Sequence, residues 1–173
     1  MLCQSCGAAI DAHGRHLPPS QPDGFTAPSL ATDALVLRTG SEGCEVLLIR
    51  RGQDPNRGCL ALPGGFVEYG EDPKDCVLRE LVEETGLKGR NPRHIWSSGH
   101  PLRDPRKHVV SLIYLVDAPA DTIAIAGDDA AEIVWTRIDE LPGVDDESWS
   151  FDHGQIIHDA LQHPWVIGQG VGA

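Results

Sequence analysis

The chain has 173 residues, of which 40% are hydrophobic, and a formal net charge of −12. This length suits one domain with a hydrophobic core. The acidic charge excludes broad, sequence-independent nucleic-acid binding, which depends on a basic surface. No apolar run reaches the roughly 18 residues of a membrane span, and the first residues lack the basic and apolar regions of a secretory signal. We therefore expect a cytoplasmic protein without a membrane partner.

The N-terminal segment differs from the rest of the chain. Five cysteines, an odd number without a signal sequence, indicate a reducing compartment rather than a disulfide scaffold. Within CQSCGAAIDAHGRH, two Cys and two His follow an order that suits a structural Zn²⁺, namely Cys3, Cys6, His13 and His16. The alternative is a chain terminus whose thiols are two residues apart by chance. The Pro- and Gly-rich LPPSQPDGFTAPS that follows is typical of a linker.

Extended segments dominate the chain after this linker. The runs at 31–39 and 44–51 predict a hairpin, because the turn-like GSEG joins them. A short strand, a glycine turn and a second extended piece follow in LALPGGFVEYGE. Further strands are predicted at 92–100, 107–118, 122–126 and 131–138.

Two helices complete the predicted secondary structure. Asp72 is a suitable N-cap, Pro73 is tolerated in the first turn, and Gly86 is a stop signal, so we expect a helix from Pro73 to Thr85. A second, amphipathic helix is predicted at 151–163, with its apolar side formed by Ile156, Ile157, Ala160 and Leu161. The fold class is therefore α/β (α+β), with helices packed on a mixed β-sheet. The predicted organisation is a tail with linker at 1–29, a domain at 30–165 and a C-terminal tail at 166–173.

The first predicted helix crowds acidic residues on one side. Glu80, Glu83 and Glu84 occupy an arc of about 100°, with Leu78, Leu81 and Val82 opposite. Most charge runs are solvated helix faces, but such faces usually intersperse opposite charges, because like charges at this spacing repel each other. Converging carboxylates are ligands that hard cations such as Mg²⁺ prefer. The crowding therefore favours a divalent metal site.

The spacing of these residues resembles the signature of the Nudix hydrolase superfamily. Gly65, five residues, Glu71, seven residues and then RELVEETGL match its box at seven identical and two apolar positions. The resemblance covers roughly residues 30–163 and leaves the CxxC tail unexplained. It implies an α/β/α sandwich around a mixed sheet and hydrolysis of a nucleoside diphosphate linked to another group.

The resemblance also implies roles for the box residues. Glu80 and Glu84 are the expected main ligands of Mg²⁺ or Mn²⁺, and the carbonyl of Gly65 is a further ligand. Glu83 is either another ligand or the base that activates water. Arg79 is expected to form a structural ion pair with Glu71. Glu68 lies beside the metals, in a role that varies between branches of the superfamily.

Segments outside the box resemble ADP-ribose pyrophosphatases. They are LRDPRKHVVSLIYL, GDDAAEIVW and FDHGQIIHDAL. The expected substrate is therefore ADP-ribose or an ADP-sugar, cleaved to AMP and a sugar phosphate. Glu132 is a candidate catalytic base, because this branch often takes its base from outside the box. Four arginines are candidate ligands of phosphate or ribose, namely Arg50, Arg51, Arg103 and Arg106. For Arg103 and Arg106 the alternative is a turn at Asp104-Pro105 with solvated arginines, and we favour the role as ligands.

Two other functions stay open at this stage. One is a different Nudix activity, such as hydrolysis of NADH, dinucleoside polyphosphates or nucleoside triphosphates. The other is a non-catalytic module that senses ADP-ribose, which the intact box disfavours. The resemblance is also compatible with a homodimer.

Overall fold

The computed structural model describes residues 27–40, 42–118 and 130–168. The predicted zinc ligands Cys3, Cys6, His13 and His16 and the predicted strand at 122–126 lie outside these residues, so both stay predictions. In chain order, the described elements are β1 (Ser29–Leu35), β2 (Leu37–Gly40), β3 (Gly43–Arg51), β4 (Leu60–Ala61), β5 (Gly64–Phe66), α1 (Pro73–Thr85), β6 (Arg90–Ser98), β7 (Val109–Asp117), β8 (Ala130–Arg137), a 3-10 turn (Ile138–Glu140), α2 (His153–Leu161) and the short α3 (Pro164–Val166).

The strands form two four-stranded sheets. The first is mixed and has the order β5-β1-β7-β6, in which β1 and β7 are parallel and the other neighbours are antiparallel. The second is antiparallel, with β8 on one side of β3 and both β2 and β4 on the other. The mixed sheet agrees with the predicted fold class. The sequence pattern predicted one sheet and did not indicate that some strands form a second sheet.

The first predicted strand is divided between these sheets. Its first part is β1, which pairs with β5 and β7, and its second part is β2, which forms the predicted hairpin with β3. Between them the carbonyl of buried Val36 accepts a hydrogen bond of 3.0 Å from the amide of Leu47. The chain therefore passes from one sheet to the other without a loop.

Helix α1 has the predicted bounds. The side chain of Asp72 accepts a hydrogen bond from the amide of Lys74 at 2.8 Å, which satisfies one of the free donors of the first turn. Gly86 has a φ of 69° and donates its amide to the carbonyl of Val82, which ends the helix. The apolar side packs on the mixed sheet through Val77 and Leu81. Val82, which was expected on this side, is 40% exposed at its edge.

Helices α1 and α2 cover opposite faces of the mixed sheet. Successive strand residues face opposite sides, so Leu35 packs in the cluster with α2, whereas Ala34 packs in the cluster with α1. In α2, Ile156, Ile157 and Ala160 are buried as predicted. The layered α/β fold is therefore confirmed. No helix in the described residues is long and apolar enough to cross a membrane.

Candidate active site

Two glutamates of α1 lie against the turn that contains β5. Glu80 and Glu84 are one helical turn apart, so their side chains project on the same side of α1. The amide of Gly64 donates a hydrogen bond of 2.9 Å to Glu84 Oε2, and Glu84 is only 8% exposed. This contact joins the last turn of the acidic helix to the backbone of the glycine turn.

The two glycines of this turn permit a close approach that other residues would prevent. A Cβ atom on Gly65 would lie 2.3 Å from the carboxyl carbon of Glu80. A Cβ atom on Gly64 would lie 2.1 Å from the carbonyl oxygen of Thr32, in the neighbouring strand. Both distances are shorter than real contacts allow, so glycine is needed here to bring backbone and carboxylates together.

Arg79 connects three carboxylates around the acidic helix. Its Nε and Nη2 atoms donate to the two oxygens of Glu71 at 2.8 and 2.9 Å. Its Nη1 atom donates to Glu80 at 2.7 Å and to Glu83 at 3.2 Å. Hydrogen bonds from Arg79 and from the amide of Glu68 hold the pKa of Glu71 at about 2. The expected ion pair between Arg79 and Glu71 is therefore present in this structure.

The three glutamates of the predicted arc have different surroundings. The side chain of Glu83 is 58% exposed, whereas that of Glu80 is 15% exposed. Within the described residues, no three His, Cys, Asp or Glu side chains converge as a formed metal cluster. The arrangement in this structure is therefore two carboxylates, Glu80 and Glu84, beside a glycine backbone, with Glu83 directed to Arg79.

The charge of this pair is poorly compensated. Burial and the nearby carboxylates of Glu80 and Asp33 raise the pKa of Glu84 to about 8, although the amide of Gly64 opposes this shift. Burial also raises the pKa of Glu80, against the effect of Arg79. Buried carboxylates of this kind are stabilised by a cation, and an all-oxygen set of donors suits Mg²⁺ or Mn²⁺. The donor set therefore fits the expected divalent metal.

A cleft of about 410 Å³ opens beside the carboxylates. Besides Glu80 and Glu84 it contains two of the predicted arginines, Arg51 and Arg106, and the predicted Glu68. Its lining is Arg51, Gln53, Gly64, Gly65, Phe66, Val67, Glu68, Glu80, Glu84 and Arg106. The structure thus brings positive and negative side chains together around one opening, as binding of a metal with a phosphate requires.

The other two predicted arginines do not line this cleft, although Arg103 lines a recess that adjoins it. Arg103 makes a bidentate ion pair with Asp152, and its side chain is only 6% exposed. Arg50 pairs with Glu132 at 3.1 Å, directly across the β3–β8 pair. Neither Arg50 nor Glu132 lines the carboxylate cleft. All four arginines were predicted as ligands of the substrate, but neighbouring strand residues face opposite sides, so Arg51 lines the cleft and Arg50 does not.

Two buried groups near the cleft were not identified from the sequence. Asp33 lies on β1, is 7% exposed and accepts a hydrogen bond from Ser111. His153 is 6% exposed, and its Nδ1 accepts a hydrogen bond of 3.1 Å from the amide of Leu62. Burial lowers the pKa of His153. The available signal for Asp33 was an acid inside the apolar run ATDALVL, because burial of a charged side chain in a strand is unfavourable unless it is compensated.

Comparison with known proteins identifies the family. The chain matches the model of the NUDIX domain over residues 28–160. It therefore belongs to the NUDIX family, and the family resemblance of the box is confirmed.

Three proteins place the chain within this family. It is 39% identical over 146 residues to an ADP-ribose pyrophosphatase of Methanocaldococcus jannaschii, covering 83% of this chain and 78% of that protein. It is 31% identical over 147 residues to the NAD-capped RNA hydrolase NudC of Chromobacterium violaceum, covering 83% of this chain but 52% of that protein. The crystal structure of the NUDIX domain of Shewanella oneidensis NrtR with ADP ribose superposes with a TM-score of 0.69, at 27% identity, covering 81% of this chain and 90% of that one.

Proposed function

We propose that this protein is a metal-dependent pyrophosphohydrolase that cleaves ADP-ribose, or a related ADP-sugar, to AMP and a sugar phosphate. The observation that carries the proposal is the cleft in which Glu80 and Glu84 lie beside the Gly64–Gly65 backbone, with Arg51 and Arg106 in the same lining. The 39% identity to an ADP-ribose pyrophosphatase supports this choice of substrate.

Glu80, Glu84 and the carbonyl of Gly65 are the proposed ligands of Mg²⁺ or Mn²⁺. A bound divalent cation supplies positive charge for the pyrophosphate and for the leaving oxygen. Arg79 positions Glu80 through the hydrogen bond of 2.7 Å, while its bidentate pair with Glu71 fixes the guanidinium. Arg51 and Arg106 bind phosphate oxygens from the lining of the same cleft.

Two residues are candidates for the base that activates water. Glu83 is an exposed carboxylate on the same helix as the metal ligands, and a rotation about its side chain releases it from Arg79. Glu132 is ion-paired with Arg50 on the second sheet. Neither carboxylate lines the cleft in this structure, and we favour Glu83 because it lies one residue from Glu84 on α1, whereas Glu132 is on the second sheet.

A substrate panel tests the proposed function. The purified chain is incubated with ADP-ribose, ADP-glucose, NADH, Ap4A and nucleoside triphosphates, with Mg²⁺ or with EDTA, and the products are separated by chromatography. We expect AMP and ribose 5-phosphate from ADP-ribose, no product in EDTA, and recovery on adding Mg²⁺ or Mn²⁺. Faster cleavage of NADH identifies the alternative activity that the similarity to NudC suggests. Full turnover in EDTA contradicts the metal-dependent mechanism.

A further inference from the structure

Phe151 has an unusual backbone conformation at the edge of the cleft. Its φ is 51°, in the left-handed region that a non-glycine residue rarely adopts. Such a conformation is kept where the surrounding contacts impose it, and it often occurs at ligand sites. Phe151 also lines a recess that adjoins the carboxylate cleft and shares with it Arg51, Gly64, Gly65, Phe66 and Arg106.

Residues on both sides of Phe151 are hydrogen-bonded to β4 and to the residue that follows it. The amide of Ser150 donates to the carbonyl of Leu60 at 2.8 Å, and the amide of Leu62 donates to His153 at 3.1 Å. Asp152 is held by its bidentate pair with Arg103. These bonds determine the path of the chain through Phe151 and therefore the direction of its ring.

The ring of Phe151 contacts two cations of the cleft. Its centroid lies 5.7 Å from Cζ of Arg51 and 5.6 Å from Cζ of Arg106. Both distances are within the roughly 6 Å at which a guanidinium is attracted to an aromatic ring. One aromatic side chain thus supports both arginines that line the cleft with Glu80 and Glu84.

Each of these arginines keeps donors for a ligand. Arg51 donates through Nε to the carbonyl of Pro55 at 3.0 Å. Arg106 donates through Nε and Nη2 to Asp104 at 3.1 and 2.8 Å. Among the residues that the structure describes, neither the Nη atoms of Arg51 nor Nη1 of Arg106 donate a hydrogen bond to the protein. These donors suit the oxygens of a diphosphate.

We propose that Phe151 is a positioning residue that holds Arg51 and Arg106 as one binding site for the diphosphate of the substrate. This inference rests on the proposed function and adds a residue outside the acidic helix to the same site. A free arginine side chain loses rotamer entropy when it is ordered. Because the ring restrains both guanidinium groups before the substrate arrives, less of this entropy is lost on binding.

The test compares Phe151→Leu with Phe151→Tyr. Leucine keeps an apolar side chain without an aromatic face, whereas tyrosine keeps the face. With ADP-ribose and Mg²⁺ we expect Phe151→Leu to raise KM roughly tenfold and to change kcat less than about threefold, because two contacts of this type are lost. Phe151→Tyr should keep KM within about twofold of the wild type. The control is Trp165→Leu, at an aromatic residue of α3 that is 53% exposed and should leave KM unchanged.

A double-mutant cycle shows whether Phe151 acts through the arginine. If the ring positions Arg51, then Arg51→Gln and Phe151→Leu are less than additive, because in Arg51→Gln the loss of the ring removes only the contact with Arg106. Additive effects on KM overturn the proposal. So does a fall in kcat without a change in KM. If Phe151→Leu does not fold, Arg51→Lys replaces it, since lysine keeps the charge but cannot stack as a planar group. An unchanged KM in Arg51→Lys overturns the proposal in that case.

A binding measurement separates this proposal from the proposed function. Calorimetry with inorganic pyrophosphate and Mg²⁺ does not depend on which nucleotide is hydrolysed. If the wild type does not cleave ADP-ribose, the proposed substrate is wrong, but Phe151→Leu should still bind pyrophosphate roughly tenfold more weakly than the wild type. Equal affinity of Phe151→Leu and the wild type for pyrophosphate contradicts the role of Phe151 whatever the substrate is.

Discussion

At the scale of single residues, the site depends on how each carboxylate is compensated. Glu71 has a full partner in Arg79, and its pKa is held at about 2. Among the residues that the structure describes, buried Glu84 has the Gly64 amide as its one direct donor, and its pKa is raised to about 8. Glu71 therefore stabilises the loop before the helix, whereas the surroundings of Glu84 favour the binding of a cation. The same side-chain type has a structural role at one position and a proposed metal-binding role at the other.

Arg79→Ala should affect the stability of the fold more than the rate of hydrolysis. Glu71 loses its partner, so we expect a melting temperature lower by several degrees, measured by calorimetry at neutral pH. Because the folded pKa of Glu71 lies below its usual 4.5, its stabilising effect is present above pH 4.5 and is lost as the pH falls towards 2. The acid sensitivity of the wild type in this range should therefore decrease in Arg79→Ala. Arg57→Ala, at an exposed arginine, is the control, and an equal loss in both variants contradicts the structural role of Arg79.

At the scale of elements, the site is a helix packed against a glycine turn. Helix α1 places Glu80 and Glu84 on one side, and β5 pairs with β1 so that the turn is held at the edge of the mixed sheet. Leu81 and Val77, which lie next to Glu84 on the surface of α1, are fully buried. Packing of the apolar side therefore determines how deeply the two carboxylates reach the backbone of the turn.

Gly65→Ala should disturb this close approach, and therefore lower kcat, without lowering the stability of the fold. The added Cβ would lie 2.3 Å from the carboxyl group of Glu80, so the flexible end of Glu80 must move. A displacement of about 1 Å at a reacting centre can cost roughly a hundredfold in rate, so we expect kcat to fall about 10- to 100-fold. The melting temperature should change little, because only a side-chain end is displaced. Gly143→Ala, where an added Cβ meets nothing within 4 Å, is the control. Normal turnover in Gly65→Ala argues against Glu80 as a ligand.

Elements whose bounds depend on neighbouring residues were predictable from the sequence. Asp72, Pro73 and Gly86 set the ends of α1 by local hydrogen bonds and backbone angles, and the structure has the helix between the same residues. The division of the first strand at Val36 was not predictable, because it depends on which sheet each half joins. The position of Arg103 was not predictable either, since its partner Asp152 is 49 residues away in the chain. The acidic helix could thus be predicted from local signals, whereas the lining of the cleft could not be predicted without the tertiary structure.

At the scale of the whole molecule, the proposed chemistry lies within the NUDIX span. The match covers residues 28–160, and the cleft lining runs from Arg51 to Arg106. The fold brings three separate parts of the chain to this cleft: the end of β3, the glycine turn with α1, and the loop before β7.

Deletion of residues 1–25 should leave hydrolysis intact. The lining residues that the structure describes all lie after this segment, so we expect kcat and KM for ADP-ribose within about twofold of the full chain. If Cys3, Cys6, His13 and His16 bind zinc, elemental analysis of the full chain should give about one Zn²⁺ per chain, which Cys3→Ser and the deletion both remove. A truncated protein that melts normally but has lost activity would show that the tail contributes to the site.

The central claim is that Glu84 binds the metal that hydrolysis requires, and Glu84→Gln tests it most directly. Glutamine keeps the shape and can accept the Gly64 hydrogen bond, but it removes the charge. Loss of one metal ligand should reduce kcat for ADP-ribose roughly 100- to 1000-fold, or about 3–4 kcal/mol of transition-state stabilisation. Asp75→Asn, at an exposed acid of the same helix, is the control for the lost charge.

Melting curves of the same two variants complete this measurement. A raised pKa means that the metal-free protein loses stability as the pH rises from 4.5 through about 8, because the buried Glu84 must ionise. In EDTA at pH 8, Glu84→Gln should therefore melt at the same temperature as the wild type or higher, and Mg²⁺ should raise its melting temperature less. Near-normal kcat in Glu84→Gln, together with earlier melting in EDTA, would contradict the account, since Glu84 would then be a structural residue.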